Sequence, residues 1–123
     1  PRPGCAEVMN LIGEVEGKTA LLIDDIVDTA GSLCEGAKAL KERGAKRVLA
    51  ACSHAILSDP AIERLNNAPI EECVVTDAIP CAAANQKGSK IKTITIANEI
   101  AEAIYAVYTD RPVSDIFGGD FNL

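Results

Sequence analysis

A chain of 123 residues is long enough for one domain with a real core and short for two. Hydrophobic residues make up 48%, which excludes a disordered chain. A net charge of −6 argues against a nucleic-acid or anionic-membrane surface, because those partners need clustered Lys and Arg. A phosphorylated small molecule is still allowed, since backbone amides or a metal can hold it locally. With two Phe, two Tyr and no Trp, the core must be built from Ile, Leu, Val and Ala, as in parallel α/β sheets.

In chain order, Pro1-Arg2-Pro3-Gly4 reads as an extended loop end, and residues 6–15 alternate imperfectly as a strand. Glu16-Gly17-Lys18 is a turn. Residues 19–24 form the central strand, whose unbroken apolar run fits burial on both faces. Residues 31–44 are the first helix: Leu33, Ala37 and Leu40 make one apolar face, and Gly44 stands where a C-cap is wanted. Residues 47–53 are the next strand. Ser58 or Asp59 then caps a second helix, with Pro60 in its first turn, running to about Asn67.

Residues 72–77 give a further strand, 79–89 a connection, and 91–96 a strand. Ile100, Ala103, Ile104 and Val107 form a third helical stripe. The tail holds a strand candidate at 113–117, followed by the flexible pair Gly118-Gly119. Strands alternating with helices at these lengths predict an α/β fold, a mostly parallel sheet with helices on both faces (three-layer αβα). There is no internal repeat, low-complexity tract or domain linker.

The chemistry concentrates in LLIDDIVDTAGSL, residues 21–33. Asp24, Asp25 and Asp28 are a repulsive cluster at a strand's carboxyl end, which a cation or hydroxyl donors would relieve. Mg²⁺ favours carboxylates plus substrate phosphates, and a sugar's vicinal hydroxyls can donate to a carboxylate pair. Ala30 and Gly31 allow close approach to the backbone, and Thr29 and Ser32 add hydroxyls. The amides opening the helix suit a phosphate. Acids at one end and amides at the other describe a ribose-phosphate site. The simpler reading makes Asp28 or Thr29 a helix cap and leaves the Asp pair solvated. The loop is neither a dinucleotide fingerprint nor a P-loop, lacking G-x-G-x-x-G and Gly-Lys-Ser/Thr.

Elsewhere the signals are bland. His54 could be a general base or metal ligand, but no second His or sequence-adjacent acid supports it, so a packed or capping role is simpler. Lys87, Lys90 and Lys92 read as a solvated edge. Cys5, Cys34, Cys52, Cys73 and Cys81 are odd in number and contain no C-x-x-C, which points to buried, reduced thiols in a cytoplasmic protein. No signal peptide and no membrane-spanning apolar run is visible. A chain opening on Pro1 is either processed or a piece of something longer.

DDIVDTAGS resembles the signature loop of type I phosphoribosyltransferases. Its flanks, PRPGCAEVMNLIGEVEGKTALLIDDIVDTAGSL, ERGAKRVLAACSHAILSDPAIERLNNAPIEECVVTDAIP and AEAIYAVYTDRPVSDIF, resemble the ribose-phosphate pyrophosphokinases over nearly the whole chain. That resemblance implies a phosphoribosyltransferase-like domain, with residues 1–123 its C-terminal portion in a two-domain enzyme. It implies transfer of the β,γ-pyrophosphoryl group of ATP to ribose 5-phosphate, with Mg²⁺ as cofactor, in a cytoplasmic homo-oligomer. Asp24 and Asp25 would contact ribose hydroxyls directly or through metal. Asp28, Thr29, Ala30, Gly31 and Ser32 would cradle the 5-phosphate.

The family's catalytic Lys and Arg lie upstream of Pro1, as do most ATP contacts, so no catalytic residue is assigned here and the isolated chain is expected to be inactive. Ser114 corresponds to a regulatory phosphate segment, although Asp115 replaces its usual aromatic neighbour. The rivals are a base-specific phosphoribosyltransferase, a non-catalytic regulatory relative, and a receiver domain with Asp77 as phosphoacceptor.

Overall fold

The computed structural model describes residues 12–117. The strand expected at residues 6–15 lies mostly outside that range, as do residues 1–4, Cys5 and the Gly118-Gly119 pair; residues 12–15 themselves are not strand. Four parallel strands form one sheet in the order β1-β2-β3-β4: β1 (Thr19–Val27), β2 (Arg47–Ala55), β3 (Glu72–Thr76) and β4 (Ile91–Ile94). Three α-helices accompany them, α1 (Gly31–Glu42), α2 (Ala61–Asn67) and α3 (Ala97–Tyr108). Short 3-10 helices occupy Ala82–Asn85 and Val113–Phe117. The fold is α/β.

Each connection steps to the next strand in the same direction. Right-handed crossovers then place α1 and α2 on one face of the sheet. Val48, Ala50, Cys52, Cys73, Val75 and Ile91 point to that face, and all are buried. Leu33, Ala37, Leu40 and Leu65 close the core from the helices. Small Ala and Cys side chains under short helices let the layers approach closely without an aromatic core residue.

α1 is the element whose sequence signals converge. Gly44, at φ 85, takes the left-handed position after the helix. Its amide bonds to the Lys41 carbonyl and the Ala45 amide to that of Leu40, the paired bonds of a Schellman ending. A Cβ on Gly44 would stand 3.0 Å from Glu16 Cγ, so this turn needs glycine for space as well as for φ. The Gly17 amide also donates to the Gly44 carbonyl at 2.8 Å, tying the entry of β1 to the exit of α1.

The structure corrects several expectations. β1 is an edge strand among the described residues: Leu21 is 55% and Ile23 78% exposed, while Ala20 and Leu22, facing the helices, are half-buried. Among the described residues it pairs only with β2, and the exposure of Leu21 and Ile23 shows that its apolar run is not buried on both faces. β1 also continues three residues past Asp24, because the pairs Ile26–His54 and Val27–Ala55 extend the ladder.

α3 forms as expected, but its stripe does not pack on the sheet. Ile100, Ile104 and Val107 are exposed, and the helix mainly contacts the Val113–Phe117 turn. That turn is 3-10 helix rather than strand, since the Arg111 amide folds back to the Ala106 carbonyl at 2.8 Å. Arg111 also lies over the Tyr105 ring, 5.2 Å from its centroid. Neither Ser58 nor Asp59 caps α2: Pro60 precedes it after a cis Asp59-Pro60 peptide, and the Ala61 amide bonds to the Ser58 carbonyl. Lys90 is not a solvated edge residue. Its Nζ donates to the Ala68 and Leu65 carbonyls at 2.8 and 3.4 Å, closing the C-terminus of α2 where a cation is favoured.

Candidate functional site

The carboxyl ends of all four parallel strands lie along one edge of the sheet, the usual ligand edge of open α/β folds. There β1 passes into α1 through only three residues, Asp28, Thr29 and Ala30. Such a tight strand-to-helix turn needs one residue in the left-handed region. Ala30 takes it, with φ 58 and ψ 15, and it is 5% exposed. As N-cap of α1 it makes no side-chain capping bond, and no other side chain among the described residues caps the helix, which removes the capping reading of Asp28 and Thr29. The first intrahelical bond runs from the Cys34 amide to the Ala30 carbonyl at 3.1 Å. The amides of Gly31, Ser32 and Leu33 therefore precede the helical ladder and have no acceptor within it.

Asp24, Asp28, Thr29, Ala30, Gly31 and Ser32 line one cleft of about 190 Å³. Asp25 is not among its walls. Alternation along a strand sends the side chains of Asp24 and Asp25 to opposite faces, so adjacency in sequence does not make them a chelating pair. Each carboxylate turns one oxygen on the next backbone amide: Asp25 N–H donates to Asp24 Oδ1 at 2.9 Å, and Ile26 N–H to Asp25 Oδ1 at 2.8 Å. The second oxygen of each exposed side chain remains for a ligand. Among the described residues no group of three or more His, Cys, Asp or Glu converges to hold a metal unaided. A larger cavity of about 710 Å³ runs between α1 and α2 and shares Gly31 and Ser32 with the loop, but its other walls, such as Lys38, Glu63 and Arg64, mix both signs of charge.

Three residues along this edge make contacts that the sequence did not show: His54 and Asp77, which it offered only in other roles, and Arg64, which it did not single out. His54, opposite Ile26 in the sheet register, brings Nδ1 to 3.3 Å from the Asp25 carbonyl. A carbonyl only accepts, so Nδ1 carries the proton in this contact. The signal was arithmetic: Thr19 and Arg47 start paired strands, so His54 falls beside the acids when both strands run to equal length. Arg64 of α2 donates from Nη1 to the Thr29 carbonyl at 3.0 Å, a contact no sequence pattern announces. Asp77, in the turn just after β3, accepts the Ile96 amide on Oδ1 at 3.0 Å, and hydrogen bonds from Thr95 and that amide hold its carboxyl below the ordinary aspartate range.

Burial pushes the Cys52 thiol up, with the nearby Asp24 charge adding to it, and pushes Cys73 to about 12. Cys34, Cys52, Cys73 and Cys81 are all free; the first three are buried thiols with low reactivity. Ser114 is exposed on the 3-10 turn against α3.

A parallel α/β sheet carrying an acidic, amide-rich loop at its carboxyl edge places the chain in the class of open α/β domains, whose ligands, where they have them, sit at that edge. Residues 3–118 match the phosphoribosyl synthetase-associated domain, and the chain belongs to that family. It is similar to the ribose-phosphate pyrophosphokinases of Clostridium acetobutylicum, 50% identical over 117 residues (95% of this chain and 36% of that relative), and Xanthomonas campestris pv. campestris, 47% identical over 117 residues (95% and 37%). Its fold is similar to the crystal structure of phosphoribosylpyrophosphate synthetase from Mycobacterium smegmatis, with a TM-score of 0.75 and 36% identity over 80% of this chain and 33% of that one. The chain thus spans about a third of the length of the relatives it matches. No helix among the described residues is long and apolar enough to cross a membrane.

Proposed function

We propose that residues 24–32 bind ribose 5-phosphate, and that the chain supplies this acceptor site as the C-terminal portion of an enzyme making phosphoribosyl pyrophosphate. The observation that carries this reading is the shared cleft. Asp24 stands at one end, and the left-handed Ala30 and the opening amides of α1 stand at the other. The helix N-terminus and its amides favour a dianionic phosphate, and Thr29 and Ser32 add hydroxyl donors. Asp24 then accepts from the ribose hydroxyls, which fixes the sugar at both ends. Asp25 acts from the other face of the strand.

In the reaction, the C1 hydroxyl oxygen of the sugar bonds to the β-phosphorus of ATP. The α–β anhydride bond breaks, AMP leaves, and the hydroxyl proton is lost. Such transfers are accelerated mainly by positioning and charge neutralisation. A phosphate handle and a carboxylate on the ribose are the positioning half of that task. The donor set suits Mg²⁺, which takes one or two carboxylates and completes its shell with water and substrate oxygens. Asp24, which lines the cleft and has a second carboxylate oxygen available, would hold it, with Asp25 left on the opposite face of the strand. When bound it supplies neutralisation of phosphate charge.

The relatives' threefold greater length supports a division of labour in which groups contacting ATP come from elsewhere in the enzyme. Ribose 5-phosphate added to the isotope-labelled chain is expected to shift amide resonances of residues 24–32. Mg-ATP and ribose 5-phosphate together should release AMP no faster than a protein-free control. Shifts confined to the α1–α2 cavity would contradict the cradle, and robust turnover would contradict the division of labour.

A further inference from the structure

We infer that Arg64 is a positioning residue for the phosphate end of the cradle, acting through the Thr29–Ala30 peptide. This rests on the ribose 5-phosphate reading of the loop. Arg64 Nη1 donates to the Thr29 carbonyl at 3.0 Å. The only cis peptide among the described residues is Asp59-Pro60, so the Thr29–Ala30 peptide is trans and its N–H points opposite to its C=O. Arg64 lines the α1–α2 cavity and is absent from the walls of the acidic cleft. It therefore stands behind the loop, and drawing the carbonyl back turns the Ala30 amide forward, to the side where the cleft opens.

Two further observations fit. The Ala30 amide belongs to a buried residue and makes no hydrogen bond among the described residues, an arrangement that folded proteins rarely leave without a partner. Next to it, a Cβ on Gly31 would lie 3.6 Å from Arg64 Nη1, so the guanidinium packs against the backbone where α1 begins. A cation bonded to a carbonyl polarises the peptide and strengthens its N–H as a donor, and charge-assisted bonds are about twice as strong as neutral ones. Arg64 thus sets the aim of an amide and lends positive potential without touching the ligand.

The test compares the wild-type chain, Arg64→Ala and Arg64→Lys. Calorimetric titration with ribose 5-phosphate and with ribose is combined with the amide resonance of Ala30. Arg64→Ala is expected to weaken ribose 5-phosphate binding about tenfold. It should leave ribose affinity and the melting temperature unchanged, and it should move the Ala30 resonance. Arg64→Lys, which retains the charge and a donor, should recover part of the loss. Unchanged ribose 5-phosphate affinity, or an equal fall for both ligands with a lower melting temperature, would overturn the role. If the wild-type chain binds no ribose 5-phosphate, the cradle reading itself fails. The positioning of the peptide is then decided by the Ala30 resonance alone, which supports it if displaced in Arg64→Ala and refutes it if not.

Discussion

Ala30 carries a local conflict at the site itself, one of three non-glycine residues at positive φ among the described residues, with Leu57 and Asp110. An L-residue with a Cβ in the left-handed region costs roughly 1–2 kcal/mol, which glycine would avoid. Here alanine accepts that conformation at 5% exposure, in a turn where Asp28, Thr29 and Ala30 alone join β1 to α1. A β-branched side chain would meet both the backbone restriction and the packed surroundings. Ala30→Val is expected to lower stability by about 2 kcal/mol, measured by urea denaturation, whereas Ala30→Gly should be nearly neutral. A Val variant as stable as wild type would mean the turn is not held in this shape. Sequence reading placed Ala30 in the site because small residues allow close approach, but φ is not written in composition. The conformation emerged only when the short connection and the buried Val27 fixed both ends.

At the scale of elements, local chemistry and tertiary demand agree in some places and part in others. α1 was legible because its apolar spacing, its glycine stop and its Schellman bonds all favour the same ending. β1 was misjudged at its end: two adjacent acids read as a stop, yet the ladder to β2 continues through Val27 and overrides the poor strand propensity of Asp. The start of α3 depends on a contact distant in sequence. Asp77, in the turn just after β3, accepts the Ile96 amide, so a carboxylate beyond one strand anchors the entry of α3.

The Asp77 carboxyl is held below its ordinary range by the Thr95 and Ile96 bonds, so folding favours its ionised form. Its contribution is therefore complete above the unfolded-state value, near pH 4, and is lost as pH falls through the lower folded-state value. Asp77→Asn should flatten the loss of stability below about pH 4, followed by thermal melting across an acid series. An unchanged slope would exclude this tether.

Across the whole molecule, the described sheet is covered on one face and open on the other. Leu21 and Ile23 of β1 and Ile94 of β4 are exposed there, and the apolar side chains of α3 are exposed as well. Fold class was readable from the alternation of strands and helices. Layering was not, because an apolar run says that a strand can be buried and not what buries it. Ile23→Lys should change unfolding free energy by no more than about 0.5 kcal/mol while reducing self-association, since a charge on an open edge discourages strand pairing. A loss above about 2 kcal/mol would show that Ile23 is packed.

The proposed cradle draws on three elements at once: Asp24 of β1, the opening amides of α1, and Arg64 of α2. The motif pointed to the first two, and only the folded chain brings Arg64 to the loop. The most direct test is calorimetric titration of the chain and its Asp24→Ala variant with ribose 5-phosphate. Saturable one-to-one binding by the wild type, weakened about tenfold in a variant that still melts cooperatively, is the predicted result. Equal affinity in the two proteins, or no binding by the wild type, would contradict it.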